Sequence, residues 1–134
     1  MTTLRPRKRQ RLLVDAATFV QRLAEEVERS DRYGHPFTML LLEAPGGPGV
    51  SRLETLRRVA TAARSLVRGC DLVAVFEKPG LFAVLLPETT VSGAARVLER
   101  FQTQIADASG AWNVRLAVYP YDRSAIETFL RKAA

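Results

Sequence analysis

At 134 residues and 47% apolar composition, the chain has the length of one domain, enough to bury roughly two thirds of its unfolded surface in a single core, and no second domain is expected. No apolar run approaches a membrane span and the N-terminus lacks the apolar stretch of a signal peptide, so a cytoplasmic protein is expected; the single cysteine, Cys70, excludes an internal disulfide and a cysteine-rich metal site and is expected as a buried, reduced thiol. The net charge of +6 is concentrated at one end: Arg5, Arg7, Lys8, Arg9 and Arg11 stand with no acid among residues 1 to 11, which leaves fifteen bases against fourteen acids elsewhere.

Residues 1 to 14 therefore read as a basic, disordered tail and residues 15 to 134 as the folded domain. Such a tail solubilises the chain or makes a weak nucleic-acid contact; no aromatic residue is interleaved for base stacking. Asp15 is a candidate N-cap, and Ala16, Phe19, Val20, Leu23 and Val27 then recur at helical spacing until Gly34, a left-handed cap, and Pro36 stop the helix. His35, the only histidine, falls in this turn and reads as a loop residue. Phe37 to Leu42 is a near-continuous apolar run, the pattern of a central strand covered on both faces. Glu43 ends it, and Ala44-Pro45-Gly46-Gly47-Pro48-Gly49 is a breaker cluster without the Gly-Lys-Ser/Thr ending of a phosphate loop.

Ser51 to Glu54 form a capping box that opens a helix buried along Leu53, Leu56, Val59, Ala60, Ala63, Leu66 and Val67, closed by Gly69. Leu72 to Phe76 and Phe82 to Leu86 are strands of a hairpin joined through Glu77-Lys78-Pro79-Gly80, expected in the middle of the sheet. Val91, Ala94, Ala95, Leu98, Phe101 and Ile105 predict a further amphipathic helix ending at Ser109-Gly110. Trp112 to Val118 alternate with period two, which predicts an edge strand with one wetter face, and Ser124 to Glu127 cap a last helix. The order predicts an α+β fold: a ferredoxin-like, or polymerase-palm, βαββαβ core with an extra N-terminal helix, its helices packed on one face of a mostly antiparallel sheet.

Several segments in order resemble GGDEF-type diguanylate cyclases. Arg32-Tyr33-Gly34-His35-Pro36-Phe37 leading into Leu40 to Glu43 is similar to that family's first helix end and first strand. Arg68 to Leu72 and Phe82 to Thr89 resemble the flanks of its signature hairpin, and Val118-Tyr119-Pro120 the end of its fourth strand. The resemblance implies a site in which two carboxylates hold Mg²⁺ on a triphosphate while other side chains fix guanine. Glu43 stands where the first metal-binding aspartate is implied, but the loop that would grip the nucleotide is replaced by the shorter Pro/Gly cluster, and Leu53 occupies the place of the aspartate that would pair with guanine. The turn before Phe82 is one residue longer than the signature and carries no Asp/Glu-Glu pair; Glu77 is displaced and Lys78 puts a cation near the metal's place. The family's last helix is longer and carries a lysine and an arginine that touch phosphate, whereas the sequence stops at Ala134. A degenerate, catalytically inactive domain with no catalytic residue, no metal site and no cofactor is expected.

One feature of the resemblance survives. Many family members carry an Arg-x-x-Asp motif ahead of the signature turn that binds cyclic di-GMP, and Arg68-Gly69-Cys70-Asp71 reproduces it at the matching place. Arg100 falls where the second arginine of that inhibitory site is implied. Arginine forks pair with guanine O6/N7 or phosphate, and a carboxylate accepts guanine N–H groups. The same residues also read as a helix-end cap and ion pair, Arg68 with Asp71, beside a solvated Arg100. Two functions follow: a cyclic di-GMP receptor through Arg68, Asp71 and Arg100, or a protein-interaction or homodimerising module acting in trans without a nucleotide. A divergent nucleotidyl transferase using Glu43 and Glu77 is a third, and would need those carboxylates to converge on one metal.

Overall fold

The computed structural model describes residues 13–44, 50–78, 80–105 and 112–133, with the side chains of 50–52, 104 and 105 excepted. Residues 1–12 of the tail expected over 1 to 14, the Pro/Gly cluster after Ala44, the capping side chain of Ser51 and the Ser109-Gly110 helix end lie outside this description, whereas Leu13 and Val14 pack against the folded domain. Among the described residues the order is α1 (Ala16–Tyr33), β1 (Phe37–Glu43), α2 (Val50–Ala63), a 3₁₀ turn (Arg64–Leu66), β2 (Leu72–Phe76), β3 (Leu81–Pro87), α3 (Val91–Ile105), β4 (Asn113–Tyr119) and α4 (Arg123–Ala133). The sheet runs β2-β3-β1-β4 with every neighbouring pair antiparallel, the split βαβ arrangement of the ferredoxin-like fold.

Strand β1 reads as an unbroken apolar run because it is flanked by β3 and β4 and buried on both faces. Leu40 and Leu42 join Val73, Phe82, Val84 and Leu86 under α2 and α3, where Leu56, Ala60, Ala94 and Phe101 complete the cluster. Phe37, Met39 and Leu41 face the opposite way, with Phe76, Leu81, Ala83, Leu85 and Tyr119, against Phe19 and Leu23 of α1 and Ile126 of α4. Helices thus cover both faces, whereas the sequence placed them on one: α2 and α3 do share a face, and α1 and α4 close the other.

Local signals set the ends of α1. Asp15 accepts the Thr18 backbone N–H at 2.7 Å, which satisfies an otherwise orphaned helix donor, and the Thr18 bonds hold its carboxyl below the usual value. Gly34 takes φ 77° and donates its N–H to the Ser30 carbonyl. Three expectations are corrected. The hairpin is not wholly central: β3 is interior but β2 is an edge strand. It reads as central because α1 and α2 cover its faces while Val14 donates its N–H to the Val73 carbonyl along its outer edge. On α3, Val91 and Ala95 are exposed, and the buried stripe runs through Ala94, Val97 and Phe101. Helix α4 begins at Arg123, one residue before Ser124, with the Asp122 carbonyl accepting from Ala125 and Ile126.

Candidate functional site

Helix α2 gives way at Ala63 to the 3₁₀ turn, so Arg68 lies in the corner between that turn and β2 rather than on the helix itself. The Asp71 backbone N–H donates to the Arg68 carbonyl at 3.0 Å, which closes a four-residue turn. A turn brings its first and fourth side chains to one side, which is the physical sense of the Arg-x-x-Asp spacing. The Asp71 carboxylate accepts the Arg68 backbone N–H at 2.7 Å through Oδ2, Nε of the same arginine at 3.4 Å, and Nη2 at 3.1 Å through Oδ1. Its side chain is 2% exposed, whereas the Arg68 side chain is 57% exposed.

The guanidinium also crosses to the end of β3. Nη2 donates to the Pro87 carbonyl at 3.0 Å and to Thr89 Oγ1 at 2.9 Å; Thr89 Oγ1 donates to the Pro87 carbonyl, and the buried Thr38 hydroxyl donates to the Thr89 carbonyl. Arg68 is thereby clamped to β2, β3 and, through Thr89, β1. The hydrogen bond to Asp71 raises its pKa above the ordinary arginine value, so it is a permanent cation. Nη1 makes no hydrogen bond with another described residue, and the side chain is more than half exposed. Arg100, on α3, donates from Nη1 to the Leu66 carbonyl at 3.3 Å, filling an acceptor left open by the 3₁₀ turn and bringing a second guanidinium beside the Arg68 corner. The structure therefore joins Arg68 with Asp71 directly and anchors Arg100 at Leu66, two residues before Arg68 in the chain.

The clasp by Pro87 and Thr89 was not read from the sequence. Its signal was the Leu-Pro-Glu-Thr ending of β3, where Glu88 takes φ 51° and turns the chain back over the corner. Cys70 is corrected: at the turn's apex it is exposed, not buried. Desolvation and then the Asp71 charge push its thiol pKa up, and Sγ lies 3.7 Å from Asp71 Oδ1, so it stays a neutral thiol and a poor nucleophile at neutral pH.

The places implied for catalysis lie at the opposite end of the sheet. Glu43, Leu81 and Phe76 share one row across β1, β3 and β2, so Glu77 follows a strand two positions away from Glu43, roughly 10 Å of backbone separation. Glu77 is held by Arg57 Nη2 at 2.7 Å, and Glu43 accepts from Asn113 Nδ2 at 3.3 Å. The residue before Phe82, where the resemblance puts a catalytic carboxylate, is Leu81, buried against α1 and α4. Leu53, at the place implied for guanine pairing, packs on the α2/α3 core. Among the described residues no group of three or more His, Cys, Asp or Glu side chains is placed to hold a metal, and no helix is long and apolar enough to cross a membrane.

No protein-family model and no curated protein matches the sequence. Solved structures do match. A DGC protein from Thermotoga maritima superposes with TM-score 0.74 at 18% identity, over 93% of this chain and 98% of that one. Diguanylate cyclase SiaD from Pseudomonas aeruginosa, solved in complex with its activator SiaC, gives 0.67 at 23%, over 90% of this chain and 55% of SiaD. The GGDEF domain of DgcB from Caulobacter crescentus, in complex with c-di-GMP, gives 0.59 at 14%, over 90% and 85%. The fold is therefore that of diguanylate cyclase GGDEF domains. At these identities the likeness is one of fold, and what the site does rests on its own chemistry.

Proposed function

We propose that this chain is a catalytically inactive GGDEF-fold regulatory domain that receives cyclic di-GMP at the Arg68 corner. The observation that carries the reading is the contrast between the two ends of the sheet. At one, the implied carboxylate and guanine-pairing positions are Leu81 and Leu53 in apolar packing, and Glu77 is neutralised by Arg57. At the other, a permanent cation is fixed by four acceptor atoms, with a second arginine alongside. A pre-positioned guanidinium loses little rotamer entropy on binding, which suits recognition of phosphate or guanine. The Asp71 carboxylate is buried and engaged by Arg68 through both oxygens, so Asp71 serves as a positioning residue, while Nη1 of Arg68 and the Arg100 guanidinium meet the ligand.

One observation favours the competing module that binds no nucleotide: the corner already forms a closed network linking three strands, which a purely structural role would explain. In either case a partner protein or a second copy of the domain is its target; SiaD, 55% of which this chain covers, was solved in complex with its activator SiaC. Catalysis is tested by incubation with GTP and Mg²⁺ or Mn²⁺. The reading expects no cyclic di-GMP above a heat-killed control, and turnover would overturn it.

A further inference from the structure

A cleft of about 680 Å³ opens on the α1/α4 face, remote in the sheet from the Arg68 corner. Its floor is Met39 and Leu41 of β1 with Ala117 of β4, and Phe76 and Phe129 stand at its sides. Along β4 the inward-facing Tyr119 and Ala117 are buried, and at the next position on that face the core pattern gives way to an exposed Arg115. Leu41, paired directly with Arg115, is left 8% exposed while its neighbours Leu40 and Leu42 are fully covered.

Three exposed cations stand around this apolar floor: Lys78 from the hairpin turn, Arg115 from β4 and Lys132 from the last turn of α4. None forms an ion pair or hydrogen bond with another described residue, and no Asp or Glu lines the cleft. Single exposed arginines without an ion pair among the described residues, such as Arg32, Arg58 and Arg96, occur elsewhere on the surface, but here three cations converge on one apolar opening. Three like charges beside low-dielectric packing repel one another and concentrate positive potential over the opening, an arrangement that an anion relieves. The volume lies in the range of small-molecule sites, and an apolar body with a few polar contacts at one side is their usual chemistry.

Charge also decides against two other occupants. The basic stretch between Arg5 and Arg11 would bring five more positive charges to a positive rim, and a second copy of a +6 chain meeting at this face would set rim against rim. We propose that the cleft is a binding site for a small amphiphilic monoanion, an aliphatic or fused-aromatic body bearing a carboxylate or sulfonate. The apolar body lies on Met39, Leu41 and Phe129, and the head group sits among Lys78, Arg115 and Lys132.

The test uses the full chain with anilinonaphthalene sulfonate as a fluorescent probe and decanoate as competitor, below its aggregation concentration, with decanol as the neutral control. Saturable single-site binding is expected, displaced by decanoate and roughly tenfold more weakly by decanol, with decanoate raising the melting temperature. Two variants keep the outcome decisive. Arg115→Glu with Lys132→Glu changes only exposed positions and is expected to weaken decanoate by tenfold or more; Ala17→Trp fills the cleft and is expected to abolish probe binding without unfolding the chain. Absence of saturable binding, equal affinity for decanol, binding unchanged in both variants, or response only to an acidic peptide would each overturn the proposal. Arg68→Ala is expected to leave decanoate binding unchanged, so this result stands apart from the fate of the nucleotide reading.

Discussion

The pairing of Arg68 with Asp71 can be measured by a double-mutant cycle of Arg68→Ala, Asp71→Ala and the double variant. The carboxylate is nearly fully buried and the guanidinium more than half exposed, so the pair lies between two regimes. Exposed ion pairs are worth about 0.2–1 kcal/mol, and breaking a fully buried one costs about 3–5 kcal/mol. With the discount for screening on the arginine side, a coupling energy of about 1–1.5 kcal/mol is expected. Asp71→Ala also strips the Arg68 backbone N–H of its 2.7 Å acceptor, a loss like that of a helix cap and worth about 1 kcal/mol more. Its total cost is then about 2–2.5 kcal/mol, a fall in melting temperature of roughly 8–10 °C for a chain of this size. Arg68→Ala keeps that backbone bond but gives up the contacts to the Pro87 carbonyl and Thr89 Oγ1, so its cost is of similar size. Urea unfolding of the four proteins gives the cycle. A coupling below about 0.3 kcal/mol would refute a corner organised by this pair.

Two further outcomes follow from geometry. Gly34→Ala is expected to destabilise the chain by about 1 kcal/mol in a urea melt, because φ is 77° while nothing stands within 4 Å of the added carbon, so the cost is backbone strain alone; an unchanged midpoint would contradict the left-handed cap. Tyr119 has its pKa pushed up to about 12, first by burial and then by its hydroxyl donating to Asp31 at 2.8 Å. The folded value exceeds the unfolded one, so the stability this phenol contributes is intact below about pH 10 and is lost as pH rises toward 12; wild type should lose about 1 kcal/mol more than Tyr119→Phe between pH 10 and 11, and parallel curves would count against the burial.

The fold was legible wherever a single residue type had one physical reason to be in place. The unbroken run of β1, the Asp15 cap, the Gly34 stop and the alternation of β4 at the edge all hold in three dimensions. The hairpin's position was harder, because an apolar edge strand covered by two helices and bridged by Val14 presents the same composition as a central one. Cys70 misled because small apolar-like residues are most often buried, and only the turn between Arg68 and Asp71 places it at an exposed apex. The pairing of Arg68 with Asp71 was legible from their spacing, but the Pro87 and Thr89 acceptors that fix the guanidinium come from a distant strand end and carry no local pattern. The cationic cleft was invisible for the same reason, since Lys78, Arg115 and Lys132 are far apart in sequence and share a rim only once β1 and β4 pair.

Isothermal titration calorimetry with cyclic di-GMP, run on wild type, Arg68→Ala and Arg100→Ala, tests the functional reading most directly. Each charge-assisted contact contributes about 1.5–3 kcal/mol, so Arg68→Ala should weaken binding by about ten- to a hundredfold and Arg100→Ala by somewhat less. No heat from wild type at tens of micromolar, or equal affinity in wild type and Arg68→Ala, would contradict a cyclic di-GMP site at this corner.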